Sequence, residues 1–302
     1  MDKELYIYLD GKMVEKSKAT VSVFDHGLLY GDGIFEGIRV YSGSAFRLVD
    51  HIDRLYDSAK TIRLKISLTK QEMSEAVLET LRKNRLKDAY VRLVVTRGTG
   101  DLGVDPSLCK APTIFIIAEP MASALGPREP KVVKVIFSSV RRDPVDSTSH
   151  ETKSLNYMNS ILAKLEANNA GADDAVLLDH RGFVSEASVS NLFLVKDRTI
   201  ATPSSAAGIL HGITRKRVIR LCSDLGLDVE ERDVTPFELV TADEVFLVGT
   251  KAEVLAVGAV NGVKVGSGGA GPMTRRVYQE FSKVVLRPEE GTPVYEAESV
   301  RV

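Results

Sequence analysis

Lys153 is the residue whose surroundings first suggest chemistry. It lies in a polar stretch directly ahead of a predicted helix whose first turn carries Tyr157. A lysine in an enclosed site near other positive charge can form a Schiff base with a carbonyl group. A single lysine is most often a solvated charge, so Lys153 gains meaning only from its neighbours in the fold.

Three further features supply what such a lysine needs. Glu186 lies between a turn at 181–182 and an apolar strand, where a partly buried carboxylate requires a cationic partner. Gly212-Ile213-Thr214-Arg215 precedes a predicted helix, so its backbone N–H groups and the Thr214 hydroxyl favour a phosphate. Gly249-Thr250 ends another apolar strand and exposes more amides. Each feature alone is also consistent with a solvated turn or an ordinary helix cap.

Taken together, the lysine, the acid and the two anion-binding turns match the needs of pyridoxal 5'-phosphate (PLP). The aldehyde of PLP takes an amine, its ring nitrogen needs a carboxylate, and its phosphate needs amides and a cation. The sequence therefore predicts a PLP site.

The chain resembles the class IV (fold-type IV) PLP aminotransferases and, within them, the branched-chain amino acid aminotransferases. The resemblance runs from about Tyr6 to Phe281. Its motifs are, in chain order, Tyr30-Gly31-Asp32-Gly33-Ile34-Phe35-Glu36-Gly37-Ile38-Arg39, Tyr90-Val91-Arg92, Lys153-Ser154-Leu155-Asn156-Tyr157, Ser185-Glu186 with Asn191-Leu192-Phe193, Gly212-Ile213-Thr214-Arg215 and Gly249-Thr250.

The resemblance implies roles for the cofactor-binding residues. Lys153 would bind the cofactor covalently and then move the proton between the substrate's α-carbon and the cofactor. Glu186 would pair with the pyridine nitrogen, and Tyr157 would hydrogen-bond the ring's phenolic oxygen. The phosphate would be held by Arg54, Ile213, Thr214 and Thr250. Periodicity alone places Arg54 opposite the apolar stripe of its helix, in solvent, and here we follow the resemblance.

The substrate pocket follows from strand alternation and from the resemblance. Residues two apart share one face of a strand, so Phe35, Gly37 and Arg39 point one way, as do Tyr90 and Arg92. An aromatic wall beside a glycine leaves room for a branched aliphatic side chain, and Arg with Tyr can bind a carboxylate. The resemblance implies that this pocket accepts both an aliphatic amino acid and glutamate. The predicted substrate-binding residues are Tyr30, Phe35, Gly37, Arg39, Tyr90, Arg92, Thr250 and Lys251.

Two positions depart from the branched-chain pattern. Lys251 replaces a small residue whose amide helps to bind the substrate carboxylate. Ser190 replaces a glutamate and resembles the D-amino-acid aminotransferase and aminodeoxychorismate lyase branches. The leading hypothesis is transamination between L-leucine, L-isoleucine or L-valine and 2-oxoglutarate, and those two branches are the alternative.

A third hypothesis is a nicotinamide-binding protein or a non-catalytic dimeric scaffold. Residues 266–271 match G-x-G-x-x-G ahead of Pro272. A dinucleotide site also needs a following strand with an acidic residue about 20 positions on. Only 31 residues remain, so we interpret these glycines as a loop with proline at the first helical position.

The order of elements predicts an α+β fold of two domains. A small N-terminal α/β domain (1–118) is followed by a linker (119–130) and a larger, barrel-like C-terminal PLP-binding domain (131–302). Predicted elements include a hairpin turning at Asp10-Gly11, a helix capped by Asp50, a capping box at Thr69 and Glu72, and a loosely held tail from Pro288. The remaining elements are strands at 34–41, 89–97, 113–118, 132–138, 175–179, 192–196 and 245–248 and helices at 156–169, 214–225 and 273–285.

Composition limits the partners. The 302 residues carry 40 Lys+Arg against 41 Asp+Glu, which disfavours a general nucleic-acid binder. The sequence has no apolar run of 18 residues and no secretory pattern, so a cytoplasmic enzyme without membrane contact is expected. Neither its two cysteines nor its five histidines have metal-ligand spacing, so no metal is expected. The loop 98–106 resembles one that reaches the neighbouring subunit's site, which implies a homodimer or a higher homo-oligomer.

Overall fold

The structure is a computed structural model, and it describes residues 4–123, 125–126 and 129–295. The strands are β1 (Tyr6–Leu9), β2 (Lys12–Glu15), β3 (Gly33–Tyr41), β4 (Ser44–Phe46), β5 (Ala89–Thr96), β6 (Thr113–Pro120), β7 (Val132–Arg141), β8 (Asp174–Leu178), β9 (Val184–Ala187), β10 (Asn191–Lys196), β11 (Thr199–Pro203), β12 (Val229–Arg232), β13 (Glu244–Gly249), β14 (Glu253–Val260), β15 (Val263–Lys264) and β16 (Gly291–Pro293). The α-helices are α1 (His26–Tyr30), α2 (Leu48–Thr61), α3 (Lys70–Asn84), α4 (Met158–Asn169), α5 (Ile213–Asp224), α6 (Pro236–Thr241) and α7 (Pro272–Val284).

The chain forms two compact units. Unit 1 contains the described residues up to 123 together with 152–156 and 284–295, and unit 2 contains the rest up to 151 and from 157 to 283. The chain therefore passes between the units more often than the single predicted linker requires. Within that linker (119–130), residues 124, 127 and 128 lie outside the described residues.

Unit 1 is built on an antiparallel sheet with the strand order β16-β4-β3-β5-β6-β1-β2. The predicted hairpin joins β1 to β2 with Leu9 opposite Lys12. Its turn residues, Asp10 and Gly11, both have positive φ, as a two-residue hairpin turn requires. Helices α2 and α3 cover the face of the sheet that carries Ile34, Ile38 and their neighbours in the core.

The starts of α2 and α3 test two predicted caps. Helix α3 begins at the predicted capping box, in which Thr69 and Glu72 bond each other's backbone N–H groups. The prediction of Asp50 as the cap of α2 was wrong. The helix begins earlier, behind Arg47 in the left-handed conformation, and Asp50 lies in its first turn, paired with the Arg47 guanidinium.

Unit 2 is built on a mixed sheet with the order β12-β11-β10-β13-β14-β7-β8-β9, and β15 pairs with β14. The pairs β11/β12, β14/β7 and β7/β8 are parallel. Apolar residues of β7, β8, β10, β13 and β14 form one core. Helix α4 packs against β7 and β8 over a smaller cluster around Ala163 and Leu177.

The glycine run at 266–271 precedes α7, which begins at Pro272 as predicted. The Glu244 carboxylate accepts hydrogen bonds from the N–H groups of Met273 and Thr274, at 2.9 and 2.7 Å. A Cβ at Gly271 would collide with that carboxylate. The N-terminus of α7 therefore binds a carboxylate of its own chain, which is the position a dinucleotide phosphate would need.

The prediction of a loose tail from Pro288 was wrong for the residues that the structure describes. Strand β16 pairs with β4, and Val294 is 1% exposed in the unit 1 core. Glu290 is buried and pairs with Arg47. The polar composition of this segment gave no indication of the strand that forms one edge of the sheet. Residues 296–302 of the predicted tail lie outside the described residues.

Among the described residues, no helix is both long and apolar enough to cross a membrane. Within the same residues, no group of three or more His, Cys, Asp and Glu side chains could hold a metal ion.

Candidate active site

The segment that carries Lys153 pairs with β3 through an isolated antiparallel bridge between Ile34 and Ser154. Phe35 N–H donates to the Lys153 carbonyl at 3.0 Å, and Leu155 N–H donates to the Gly33 carbonyl at 2.9 Å. Helix α2 holds the same segment from its own side, since Lys153 N–H donates to Ser58 Oγ at 3.1 Å. Backbone hydrogen bonds to a strand and a helix therefore fix the position of Lys153 in unit 1.

The Lys153 side chain lies against the predicted substrate face of β3 and β5. Its Nζ is 4.5 Å from the centroid of the Phe35 ring, and the Arg92 guanidinium carbon is 4.2 Å from the same centroid. Cations gather over aromatic faces because the ring quadrupole is negative there. The register places Gly37 opposite Arg92 and Arg39 opposite Tyr90, so all five side-chain positions share one face.

Gly37 lets the Tyr90 side chain lie close to β3 on this face. A Cβ at position 37 would collide with the hydroxyl and ring of Tyr90. The predicted glycine gap is thus filled in part by a tyrosine, whose hydroxyl can orient a carboxylate. Arg39 is buried, with its guanidinium carbon 5.0 Å from the Tyr41 ring centroid.

Tyr30 stands at the end of α1, ahead of Gly31 in the left-handed conformation. Its hydroxyl accepts a hydrogen bond from Gly103 N–H at 2.9 Å. Gly31 has no room for a side chain because an added Cβ would lie 2.5 Å from Asn156 Oδ1. Tyr30 therefore ties the motif before β3 to the 98–106 loop.

Arg54 is half-buried, so the prediction from periodicity that it is solvated was wrong, and its assignment to the phosphate stays a prediction. Its side chain is 12% exposed. Its Nε and Nη2 donate to Oε1 and Oε2 of Glu36 at 2.7 and 2.8 Å. The ring of His51 bonds Glu36 Oε2 through Nδ1 at 2.7 Å. Arg54 lies on the side of α2 that also carries His51 and Ser58, which is the side facing β3 and Lys153.

Charge and burial shift the pKa values of this cluster. Burial raises the pKa of Glu36, but the positive charge of Arg54 and the hydrogen bonds from Arg54 and His51 bring it well below its usual range. Burial lowers the pKa of His51, and the charges of Arg54 and Lys153 lower it further against the pull of Glu36. At neutral pH the cluster therefore holds an ionised glutamate, an arginine and a neutral histidine.

In unit 2, Glu186 lies on β9 and is buried among donors. Asn191 Nδ2 and Leu210 N–H donate to its Oε2 at 2.8 and 3.1 Å. Arg142 Nη2 is 3.3 Å from its Oε1, and His150 Nε2 is 3.6 Å from the same oxygen. The predicted buried carboxylate with a cationic partner is thus found in unit 2, and the partner is Arg142.

Tyr157 is close to this cluster. Its ring centroid is 5.4 Å from that of His150. It lies at the N-cap of α4, one residue before the helix starts, instead of in the first turn as predicted. One histidine therefore contacts both residues that the resemblance assigns to the cofactor ring.

The start of α5 offers an anion site beside Glu186. Gly212 at the N-cap provides no side chain, and a Cβ there would collide with Asn191 Oδ1, the amide that holds Glu186. Ile213 and Thr214 form the first turn, so their N–H groups and the Thr214 hydroxyl lie at the positive end of the helix. Arg215 turns away and donates to the Pro203 carbonyl and Glu231.

The second predicted anion site is the turn after β13. A Cβ at Gly249 would lie 3.2 Å from Ser190 Oγ and 3.4 Å from the Val189 carbonyl, so this turn packs beside the loop that follows Glu186. Thr250 is half-buried, and Lys251 is exposed at the tip of the turn. Ser190 therefore lies next to the turn that carries Lys251, and these are the two residues that depart from the branched-chain pattern.

Four supporting residues were missed from sequence: Glu36, His51, Arg142 and Asn191. Glu36 could have been found from the sequence, because it shares the core face of β3 with Ile34 and Ile38. A lone carboxylate on such a face needs a partner. His51 lies three positions before Arg54, so the two share a helix side. Arg142 gave no such signal, since its loop has no periodicity.

The residues of both units fit PLP. Unit 1 supplies a lysine beside an aromatic ring and a half-buried arginine, and unit 2 supplies a buried carboxylate and a helix N-terminus whose N-cap is a glycine. These are the groups that an aldehyde, a pyridine nitrogen and a phosphate require.

Comparisons with known proteins support the same conclusion. The family described as "Amino-transferase class IV" matches residues 33–260. A protein of Methanocaldococcus jannaschii, named a putative branched-chain-amino-acid aminotransferase, is 51% identical over 290 residues, covering 96% of this chain and 99% of that protein. The branched-chain-amino-acid aminotransferase of Escherichia coli K12 is 37% identical over 282 residues, covering 91% of each chain.

A solved structure agrees in fold. The branched-chain amino acid aminotransferase of Thermobaculum terrenum, in its PLP-bound holo form, has a TM-score of 0.89 and 31% identity over 98% of this chain and 100% of that chain. The predicted fold-type IV α+β architecture, the transferase class and the PLP cofactor are confirmed. The chain belongs to the class IV, PLP-dependent aminotransferases and, within them, to the branched-chain-amino-acid aminotransferase family.

Proposed function

We propose that this enzyme transfers the amino group between L-leucine, L-isoleucine or L-valine and 2-oxoglutarate, with Lys153 as its catalytic residue. The observation that carries the proposal is the position of Lys153 Nζ over the Phe35 ring, whose other cation is Arg92. An amine, an aromatic wall and a carboxylate-binding arginine are thus combined in unit 1.

PLP supplies an aldehyde that accepts the amine and a ring that withdraws electrons from the reacting carbon. Lys153 would hold the aldehyde end, and its Nζ would carry the proton between the substrate's α-carbon and the C4' carbon of the cofactor. Glu186 would hold the ring nitrogen in its protonated form, and Tyr157 would orient the phenolic oxygen. The phosphate would be held by Arg54, Ile213, Thr214 and Thr250.

The same face of unit 1 serves two substrates in turn. Phe35 accepts an aliphatic side chain, and Tyr90, which lies close against Gly37, binds a carboxylate together with Arg92. Tyr30, Arg39, Thr250 and Lys251 complete the proposed set. The exposed Lys251 ammonium can add to carboxylate binding without filling the aliphatic space.

The alternative within the family is a D-amino-acid aminotransferase or an aminodeoxychorismate lyase. Ser190 and Lys251 motivate it, and Gly249 places them at neighbouring turns. The relatives named branched-chain aminotransferases, together with Arg92, favour the L-branched-chain activity.

The experiment is a half-reaction screen on the holoenzyme. L-leucine, L-valine, L-glutamate and D-alanine are added separately, and the visible spectrum follows conversion of the cofactor to its amine form. The three L-amino acids should convert it and D-alanine should not. Conversion by D-alanine alone would overturn the branched-chain activity.

The role of Lys153 is tested by Lys153→Ala, with Lys65→Ala as the control because Lys65 is an exposed lysine of the same unit. Lys153→Ala should reduce turnover at least about 10³-fold and abolish the borohydride-reducible link to the cofactor. Lys65→Ala should retain both. A Lys153→Ala enzyme that kept turnover and the link would end the assignment.

We also propose that the enzyme is a cytoplasmic homodimer. The segments 21–30 and 98–104 pack together and expose a set of apolar side chains, among them Leu102 (70%) and Val104 (82%). Apolar surface of this kind marks interaction sites, and the loop is the one that the resemblance assigns to the neighbouring subunit's site. Light scattering should give twice the 33.0 kDa chain mass, and a monomer that keeps full activity would contradict it.

A further inference from the structure

We propose that Glu36, assisted by His51, is a positioning residue that orients Arg54 for the phosphate of PLP. The inference rests on the proposed function, in which Arg54 binds that phosphate. It concerns two side chains that the motifs of the cofactor site leave without a role.

Glu36 occupies a costly position. It is 0% exposed and shares the core face of β3 with Ile34 and Ile38. An ionised carboxylate in an apolar core is destabilising unless it is paired and hydrogen-bonded. A leucine at this position would suit the core better, so packing alone does not explain the acid.

The contacts of Glu36 fix the direction of the Arg54 side chain. Two N–H groups of one guanidinium edge meet the two carboxylate oxygens at 2.7 and 2.8 Å. This bidentate geometry sets the plane of the guanidinium as well as its location. A flexible arginine would lose rotamer freedom on binding a phosphate, and a fixed one has lost it already.

His51 fixes the carboxylate in turn. Its Nδ1 lies 2.7 Å from Glu36 Oε2, and the histidine is as buried as the glutamate. Because burial and the nearby Arg54 and Lys153 charges lower the pKa of His51, it bonds Glu36 as a neutral donor. The glutamate is therefore held without a second positive charge, and the pair Glu36–Arg54 is close to neutral.

Charge and orientation make opposite predictions for Glu36→Gln. If Glu36 acted only through its charge, removing it would make the surroundings of Arg54 more positive and strengthen phosphate binding. If Glu36 orients Arg54, the variant should bind phosphate less well. The non-phosphorylated analogue pyridoxal provides the reference, because it has the same aldehyde and ring.

The test measures dissociation constants of PLP and pyridoxal for the cofactor-stripped full chain by absorbance titration. Glu36→Gln should weaken PLP binding about tenfold, and pyridoxal binding less than about twofold. Glu290→Gln is the matched control, since it removes a buried carboxylate that pairs with another arginine near the start of α2. It should leave both constants unchanged.

A double-mutant cycle keeps the inference testable if Glu36→Gln folds poorly. Arg54→Lys keeps the positive charge but cannot make the bidentate pair, so it should show the same PLP-selective loss. Glu36→Gln added to Arg54→Lys should then cost less than about twofold more. Tighter PLP binding, an equal loss for pyridoxal, no change, or full additivity would each overturn the inference.

Failure of the proposed function looks different. If the unsubstituted chain bound PLP no better than pyridoxal, or if Arg54→Ala left PLP affinity unchanged, Arg54 would not be a phosphate ligand. The role of Glu36 as a positioning residue is judged only when those two controls behave as proposed.

Discussion

At the scale of single residues, the chain contains two buried glutamates that are paired in different ways. Glu36 meets Arg54 through two short hydrogen bonds, whereas Glu186 meets Arg142 at 3.3 Å and receives its shorter bonds from the neutral donors Asn191 and Leu210 N–H. A longer, single contact neutralises a carboxylate less. Glu186 is therefore the better partner for a protonated ring nitrogen, and Glu36 the better anchor for an arginine.

Gly37→Ala tests the substrate face at the same scale. The added methyl group would collide with the Tyr90 hydroxyl, so Tyr90 must move away from the face that it shares with Arg92. We expect kcat/KM for L-leucine to fall by about tenfold to a hundredfold, because the displaced Tyr90 hydroxyl costs about 1 to 3 kcal/mol. Steady-state kinetics measures the loss.

Gly269→Ala is the control for Gly37→Ala. Gly269 lies in the loop before α7, and an added Cβ would meet only Ser267 Oγ at 3.9 Å. Its kinetics should match those of the unsubstituted enzyme, and the PLP spectrum of both variants should be retained. Unchanged kcat/KM in Gly37→Ala would mean that position 37 does not border the substrate.

At the scale of elements, Glu244 decides how α7 begins. Its carboxylate accepts from two N–H groups of the first turn and from the Thr274 hydroxyl, and it is buried. Glu244→Ala would leave those donors without partners, which costs about 1 to 3 kcal/mol for a buried group. We expect unfolding at a lower midpoint concentration of urea, and circular dichroism measures that midpoint.

Asp243→Ala provides the comparison for Glu244→Ala. Asp243 precedes Glu244 and is half-exposed; it pairs with Lys196 and accepts from Asp197 N–H at the surface. Because exposed pairs contribute about 0 to 1 kcal/mol, its loss should shift the midpoint less. Equal shifts in the two variants would show that the carboxylate does not cap the helix.

Elements with a strong local pattern were predictable from the sequence, and those that depend on distant partners were not. The hairpin at Asp10-Gly11 and the capping box at Thr69 are set by neighbouring residues, and both are confirmed. Strand β16 depends on pairing with β4, which lies over 240 positions earlier in the chain. The position of the Arg54 side chain depends on Glu36, 18 positions earlier. Tertiary contacts of that kind leave no periodicity in the sequence.

The candidate site follows the same division. Residue types and motifs identified the lysine, the acid and the anion-binding turns, because PLP chemistry requires those groups wherever they lie. The supporting residues His51 and Arg142 were not predicted from the sequence, since their roles depend only on what they contact. Glu36 is the one that burial arguments could have found, as a carboxylate within an apolar strand pattern.

At the scale of the whole molecule, each unit contains some of the residues that are proposed to hold the cofactor. Lys153 belongs to unit 1 and Tyr157 to unit 2, although four positions separate them in the chain. The backbone therefore leaves unit 1 within the motif itself. Each unit contains its own buried acid–arginine–histidine cluster, and each cluster supports a residue proposed to hold a different part of the cofactor.

The buried histidine of unit 1 makes the stability of the molecule depend on pH. The pKa of His51 lies below its ordinary value of 6.5 in the folded chain, because burial, Arg54 and Lys153 oppose its protonation. Below pH 6.5 the unfolded chain takes up a proton that the folded chain does not, so the free energy of unfolding falls as the pH falls. The slope is at most about 1.4 kcal/mol per pH unit for one proton.

Glu36 also makes the free energy of unfolding fall as the pH falls, but over a lower pH range than His51. Its folded pKa lies below its ordinary value of 4.5, so its contribution is present above pH 4.5 and lost as the pH falls further. The interval from pH 6.5 to 5 therefore separates the effect of His51 from that of Glu36. In His51→Asn the amide can still donate to Glu36 but does not titrate, so its free energy of unfolding should fall less over that interval.

Urea unfolding of the cofactor-stripped chain at pH 7.5, 6.5, 5.75 and 5.0 measures the difference, since PLP then adds no titration of its own. His180→Asn is the control, because His180 is an exposed histidine of unit 2 and its replacement should keep the pH slope of the unsubstituted chain. If His51→Asn kept that slope as well, the folded chain would accept the proton at position 51, and the charge balance around Arg54 would have to be positive instead of neutral.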